Sequence, residues 1–235
     1  LVRSRGLGDV YKRQGSLKFF DKEVTENDFK YKEHLGVVFD DLRVPDKLTL
    51  QYINKVFTEI YDAWNSDTFF SLIKAFELPT NNQIKTFSRG MRMKAALTIA
   101  LSHDAKLLIL DEATAGMDVS GREHVLEILE DYLGDDRAIL ISSHISEDIE
   151  QLATQLVFMR DGRIILKESK EVLLSQYGII DQPVEHFNIS NEYLIATRRR
   201  NDRQISLVNN YQKVPDAQPL KTIDDATKII MRGEV

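Results

Sequence analysis

The chain has 235 residues, 43% hydrophobic and 29% charged, an ordinary composition for one large water-soluble domain or a domain with an appendage. Its net charge of −6 argues against a general nucleic-acid binder, and the absence of cysteine excludes disulfides, a thiolate nucleophile and any Cys-based metal site. No apolar run approaches the roughly 18–20 residues that span a bilayer and no signal peptide is read, so membrane association is expected to go through a partner.

In chain order, residues 1–14 (LVRSRGLGDVYKRQ) carry Arg3, Arg5, Lys12 and Arg13 against Asp9 alone and do not start with Met. In an acidic chain they read as an appended, non-native leader. A natural basic N-terminal arm is the alternative. Gly6-Leu-Gly8 with Lys12 has neither the spacing nor the following hydroxyl residue of a phosphate-cradling G-x-x-x-x-G-K-[S/T] loop, and no such string occurs in the sequence.

Gly15 to Phe20 reads as a strand with Asp21-Lys22 as its turn. Leu35 to Phe39 reads as a second strand, followed at once by Asp40 and Asp41. Residues 46–102 read as helical: Leu48, Tyr52, Ile53, Val56, Phe57, Ile60 and Tyr61 recur at three- and four-residue steps, and Phe69, Phe70, Ile73, Phe76 and Leu78 continue them before Pro79. Within this stretch Ser88 is placed to cap a helix from Arg89 to about Ser102. A helix start is also an anion site, and Gly90 allows close backbone approach there.

The apolar run Leu107 to Leu110 stops at Asp111 and Glu112, and the run Ala138 to Ile141 stops at Ser142, Ser143 and His144. Such runs fit strands buried on both faces of a parallel sheet, whose ligand crevice lies beyond the carboxyl ends of the strands. Two carboxylates and an imidazole delivered there suit metal-assisted hydrolysis. Taken alone, the acids equally suit a loop that caps the next element. Between the runs, Ser120 and Glu123 form a capping box ahead of an apolar stripe of Val125, Ile128, Leu129, Tyr132 and Leu133, ended by Gly134-Asp-Asp.

Gln155 to Lys167 reads as two strands joined by Asp161-Gly162, a hairpin signal, and 168–177 as a short helix. Beyond Gly178 short apolar and polar runs mix and end in a helical Ile223 to Met231. Arg198-Arg-Arg200 is either a phosphate contact or, beside Asn201-Asp202, a solvated hairpin end.

Across residues 87–144 the strings FSRGM, LLILDE, AGMD and ILISSH resemble, in order and spacing, the signature loop, Walker B strand, D-loop and switch histidine of ABC-type ATPases. The similarity extends from about Gly15 to the C-terminus and is closest to bacterial ABC exporter subunits whose signature reads Tyr/Phe-Ser-Arg/Lys-Gly-Met. The resemblance implies an α/β fold of the P-loop NTPase kind: a mostly parallel sheet, a helical subdomain inserted at about 41–102 within an ATPase domain of 15–177, and a C-terminal accessory region of 178–235. It implies Asp111 as a ligand of Mg²⁺ through water, Glu112 as the residue that orients or deprotonates the attacking water, and His144 as a contact of the γ-phosphate. Ser88, Arg89, Gly90 and Met91 would meet nucleotide held by a second subunit, with Arg89 and Met91 standing where glycine and glutamine are usual. Asp118 is a helix cap, a cross-dimer contact or both. Asp40 stands where the family has a metal-touching glutamine.

The expected protein is thus an ATP- and Mg²⁺-dependent ATPase subunit. It pairs with a second like or unlike subunit and drives separate transmembrane permease subunits from the cytoplasmic face of the plasma membrane, with no nucleic acid involved. In the family the P-loop lies upstream of the segment that Gly15 to Phe20 resembles. The chain is therefore expected to be N-terminally truncated and inactive by itself. Two rivals stand beside this reading: a soluble ABC ATPase acting on ribosomes or DNA, and a regulatory subunit that keeps the fold without turnover.

Overall fold

The computed structural model describes residues 18–24 and 30–234. The expected leader, and residues 15–17 of the expected first strand, lie outside the described residues. The chain divides into two units, Leu1–Ser142 and Ser143–Val235.

In the first unit, β1 (Lys18–Phe19) and β2 (Lys22–Glu23) pair antiparallel. Their turn is Phe20-Asp21, one residue earlier than the sequence suggests. Both residues are left-handed, with φ of 47° and 62°, the geometry that closes a two-residue hairpin.

The centre of this unit is a parallel sheet of β3 (Leu35–Val38), β4 (Leu107–Asp111) and β5 (Ala138–Ser142), in that order. Val38 pairs with Leu110, Leu110 with Ile141, and Asp111 with Ser142, so the carboxyl ends of the three strands are aligned. One face is tightly covered. A Cβ on Gly36 would meet Leu108 Cδ2 at 2.5 Å and the Ala100 carbonyl at 3.0 Å, so only glycine lets the helix carrying Ala100 lie this close to the strand. Val38, Leu108 and Leu110 are buried.

The expectation of strands buried on both faces fails here. Leu140 is 60% exposed and Val37 37% exposed, so β3 and β5 alternate. Among the described residues of this unit a second helical layer does not cover that face, and β5 has a pairing partner on one side only.

Three helices supply most of the remaining core. Thr49 caps α1 (Leu50–Ile60) and Asn65 caps α2 (Ser66–Ala75), each accepting an N–H bond from the first turn. The expected stripe of α1 is partly corrected: Leu50 and Ile53 are buried, whereas Tyr52 and Ile60 are exposed. Phe69, Ile73, Phe76 and Leu78 are buried as the spacing predicts. Helix α3 (Arg89–Leu101) starts where expected, and Met93, Ala96, Leu97 and Ala100 bury its inner side.

Helix α4 (Val119–Tyr132) is capped by Asp118, whose Oδ1 accepts the Gly121 N–H at 3.2 Å. This overturns the capping box at Ser120. Asp118 holds the extended backbone that a cap requires, with φ −71° and ψ 166°, and Ser120 already lies inside the helix.

The second unit contains α5 (Ser146–Leu152), the hairpin β6 (Gln155–Arg160)–β7 (Arg163–Ser169), α6 (Lys170–Gln176) and α7 (Ile223–Arg232). It also contains an antiparallel sheet ordered β11 (Gln218–Pro219), β8 (Gly178–Pro183), β10 (Arg203–Val208), β9 (Leu194–Arg200). The β6–β7 turn is Asp161-Gly162, both with positive φ, as the dipeptide predicts. Leu156 and Phe158 of the hairpin share one core with Leu173, Ala196, Leu207, Ile229 and Ile230. The boundary read at residue 178 therefore falls inside this unit. Arg160 Nη1 donates to the Ile230 and Gly233 carbonyls, satisfying the end of α7. Arg199 and Arg200 are exposed, with Arg200 paired to Arg203 across a left-handed Asn201, a solvated hairpin end.

Candidate functional site

Two clusters of the expected residues form within the first unit. The first is built by the end of β4. Asp111 is its last residue, exposed, and its Oδ1 accepts a hydrogen bond from Ser142 Oγ at 2.7 Å. Glu112 follows with φ of +53°, a left-handed conformation that a non-glycine residue adopts only at a cost of about 1–3 kcal/mol. Its N–H is anchored on β5, at 3.1 Å from the Ser142 carbonyl and 3.3 Å from Ser142 Oγ. The reversal of backbone hand frees the two successive acids from the strict alternation of a strand. In a continued strand they would point to opposite faces.

The second cluster is the start of α3. Ser88 Oγ accepts the Met91 N–H at 3.2 Å and the Ser88 carbonyl accepts from Arg92 N–H at 2.9 Å. The N–H groups of Arg89 and Gly90 then remain without a place in the helical ladder, as at any helix start. Both residues line a cavity of about 360 Å³, together with Ser88, Met91, Lys94, Met117 and Asp118. The signature residues and Asp118 thus come together, joined by a cation, Lys94, that the sequence did not single out. A Cβ on Gly90 would find its nearest neighbour, the Gly116 carbonyl, at 3.5 Å, an ordinary contact. The chain's own packing does not demand glycine at that position.

Asp40 lies just beyond β3, exposed, and makes an ion pair with Arg43 at 3.5 Å. Its neighbour Asp41 is the acid built into the fold. Arg92 Nε and Nη2 donate to its two oxygens at 2.7 and 3.2 Å, and Arg92 Nη1 donates to Asp46 at 2.9 Å. The hydrogen bonds from Arg92 hold the Asp41 carboxyl below its ordinary range, against an opposing push from burial. Sequence reading missed this linkage. The acids were visible, but their partner lies 51 residues away.

His144 belongs to the second unit and is exposed. The turn that carries it is organised by Ser143, whose Oγ accepts the Ile145 N–H at 3.0 Å and donates to the buried Asp148 at 3.2 Å.

Among the described residues, acids and histidines do not cluster in the threes that would by themselves hold a metal ion. The donor set still fits Mg²⁺, which commonly takes one or two carboxylates and completes its shell with water and substrate phosphate oxygens. Asp111 presents such a carboxylate, with one oxygen oriented by Ser142.

The sequence model of the family described as ABC transporter matches residues 7–115, starting within the stretch read as a leader. The lantibiotic transport ATP-binding protein SrtF of Streptococcus pyogenes is 31% identical over 194 residues, covering 82% of this chain and 79% of that protein. The ABC transporter ATP-binding protein NatA of Bacillus subtilis is 26% identical over 166 residues, covering 68% of each. Among solved structures, an ATP-binding subunit of an ABC transporter superposes with a TM-score of 0.62 at 20% identity, covering 68% of this chain and 69% of that one. Among the described residues, helices long and apolar enough to cross a membrane are absent.

Proposed function

The chain belongs to the ABC transporter family, as one of its ATP-binding subunits, and we propose that it is built to hydrolyse ATP and so drive export through separate membrane-embedded subunits. The observation that carries this reading is the strained Glu112 directly after a strand-end Asp111 that is oriented by Ser142. Asp111, through water, would hold Mg²⁺, which neutralises charge on the phosphates. Glu112 accepts a proton from, or aligns, the attacking water. His144 would bond the γ-phosphate, and Asp40 would border the metal.

The helix-start cavity serves the nucleotide of a second subunit. Gly90 supports this, because its missing side chain is not needed by this chain's own packing and leaves backbone open to an approaching phosphate. Arg89 and Lys94 add positive charge there, and Met91 and Asp118 complete the wall. Two subunits closing around nucleotide then form the working unit, beside the permease subunits at the cytoplasmic face of the membrane. The relative named for lantibiotic transport supports a peptide or antimicrobial cargo.

The 235 residues contain no G-x-x-x-x-G-K-[S/T] string. The test is therefore a hybrid in which a segment bearing that motif is joined ahead of residue 18. Mg²⁺-dependent phosphate release by the hybrid is the expected result. Tight ATP binding without any phosphate release would overturn the hydrolytic reading.

A further inference from the structure

We propose that Ser142 is a positioning residue of this site, holding the side chain of Asp111 and the backbone of Glu112 in one arrangement. The proposal rests on the roles given to those acids above. The parallel register sets Ser142 directly beside Asp111. Its hydroxyl donates to Asp111 Oδ1 at 2.7 Å and accepts from the Glu112 N–H at 3.3 Å, while its carbonyl accepts that same N–H at 3.1 Å. One residue of β5 therefore governs two successive residues of the neighbouring chain segment.

An exposed aspartate at a strand end has several rotamers open to it. A hydroxyl donor on one oxygen selects among them and leaves the other oxygen for a cation. The left-handed backbone at Glu112 also needs an anchor, and both acceptors for its N–H come from residue 142. Serine and threonine alone offer, at this reach, a hydroxyl that donates and accepts at once. Stability does not explain the serine. Ser142 and Asp111 are both exposed, so removing the hydroxyl strands no buried polar group and should cost little. Nor is Ser143 a substitute, because its hydroxyl is committed to Ile145 and Asp148.

The test uses the chain as it is, ¹⁵N-labelled, with S142A and S142T. In S142A the Glu112 amide should shift and its protection from solvent exchange should fall by up to about tenfold, the worth of one net hydrogen bond. The urea midpoint should stay unchanged, and S142T should restore the Glu112 signature. Mn²⁺ provides a second readout. Paramagnetic broadening at Asp111 should need about 10–100-fold more Mn²⁺ in S142A than in the parent, as for other residues that orient a metal ligand. S142T should again recover it. An unchanged Glu112 amide in S142A, an S142T that behaves like S142A, or a loss of protection across all of β4 would overturn the proposal. If Mn²⁺ fails to broaden Asp111 in the parent chain, this carboxylate does not hold the ion without the phosphate oxygens that complete its shell. The Glu112 amide then decides the part played by Ser142.

Discussion

Arg92 holds Asp41 by two parallel hydrogen bonds, from Nε at 2.7 Å and from Nη2 at 3.2 Å. The same guanidinium reaches Asp46 and the Leu42 carbonyl, so the loop after β3 is fastened to the first turns of α3. The Arg92 side chain is 18% exposed and that of Asp41 57%. A planar fork of this kind matches a carboxylate in a way that lysine cannot.

A pH dependence follows from this pair. The folded chain holds Asp41 below its ordinary value, chiefly through Arg92. The stabilisation is thus complete above the unfolded value of about 3.9 and is lost as pH falls through the lower folded value. Because Asp41 is more than half exposed, solvent screening keeps its share below about 1 kcal/mol. Urea unfolding at about pH 5.5 and about pH 3 should show a steeper acid loss in the parent than in D41N or R92Q. Equal slopes in all three would show that the clamp adds nothing.

The chain as it stands should neither bind ATP tightly nor hydrolyse it. Most phosphate-binding energy in P-loop enzymes comes from the loop amides and lysine, and that motif does not occur in these residues. Calorimetry with Mg-ATP and a phosphate-release assay are the measurements. Low-micromolar binding with steady turnover would contradict this.

In the hybrid carrying an upstream P-loop, E112Q should still bind ATP but turn over about 10²–10⁴-fold more slowly, the usual worth of a positioned general base. The amide keeps the shape of the carboxylate and cannot take a proton. Size exclusion with ATP should reveal a trapped dimer. Unchanged turnover would remove Glu112 from its role.

Ser88 should act across the dimer. Two hybrid subunits are mixed, one with Ser88→Arg and the other with its P-loop lysine disabled. Each homodimer should be inactive. In the mixed dimer both lesions fall on one composite site, so the second site is intact and some nucleotide binding or turnover should return. If Ser88 served its own subunit's nucleotide, each site would carry one lesion. Absence of both rescued binding and rescued turnover would then be observed.

Residues 88–162 determined by themselves what could be read locally. Ser88 was recognisable as a cap because its acceptor and the Met91 N–H lie three residues apart. Asp161-Gly162 declared its turn through two residues that tolerate positive φ. The ends of β4 and β5 were marked by apolar runs stopping at acids and serines. Each signal depends on neighbours along the chain, whose separation the covalent backbone fixes.

Tertiary structure alone decided the rest. Of the two caps open in the sequence, Asp118 and Ser120, the structure takes Asp118, because the chain enters α4 extended at residue 118. Leu140 stayed exposed because, among the described residues of that unit, helices cover one face of its sheet, which an apolar run cannot announce. The bonds Ser142–Asp111 and Arg92–Asp41 span 31 and 51 residues. The first exists because of the strand register, and the second because α3 packs beside the loop after β3. Hydrogen bonds fade within a few tenths of an ångström, so residue types state what could bond, and only the packed backbone states what does.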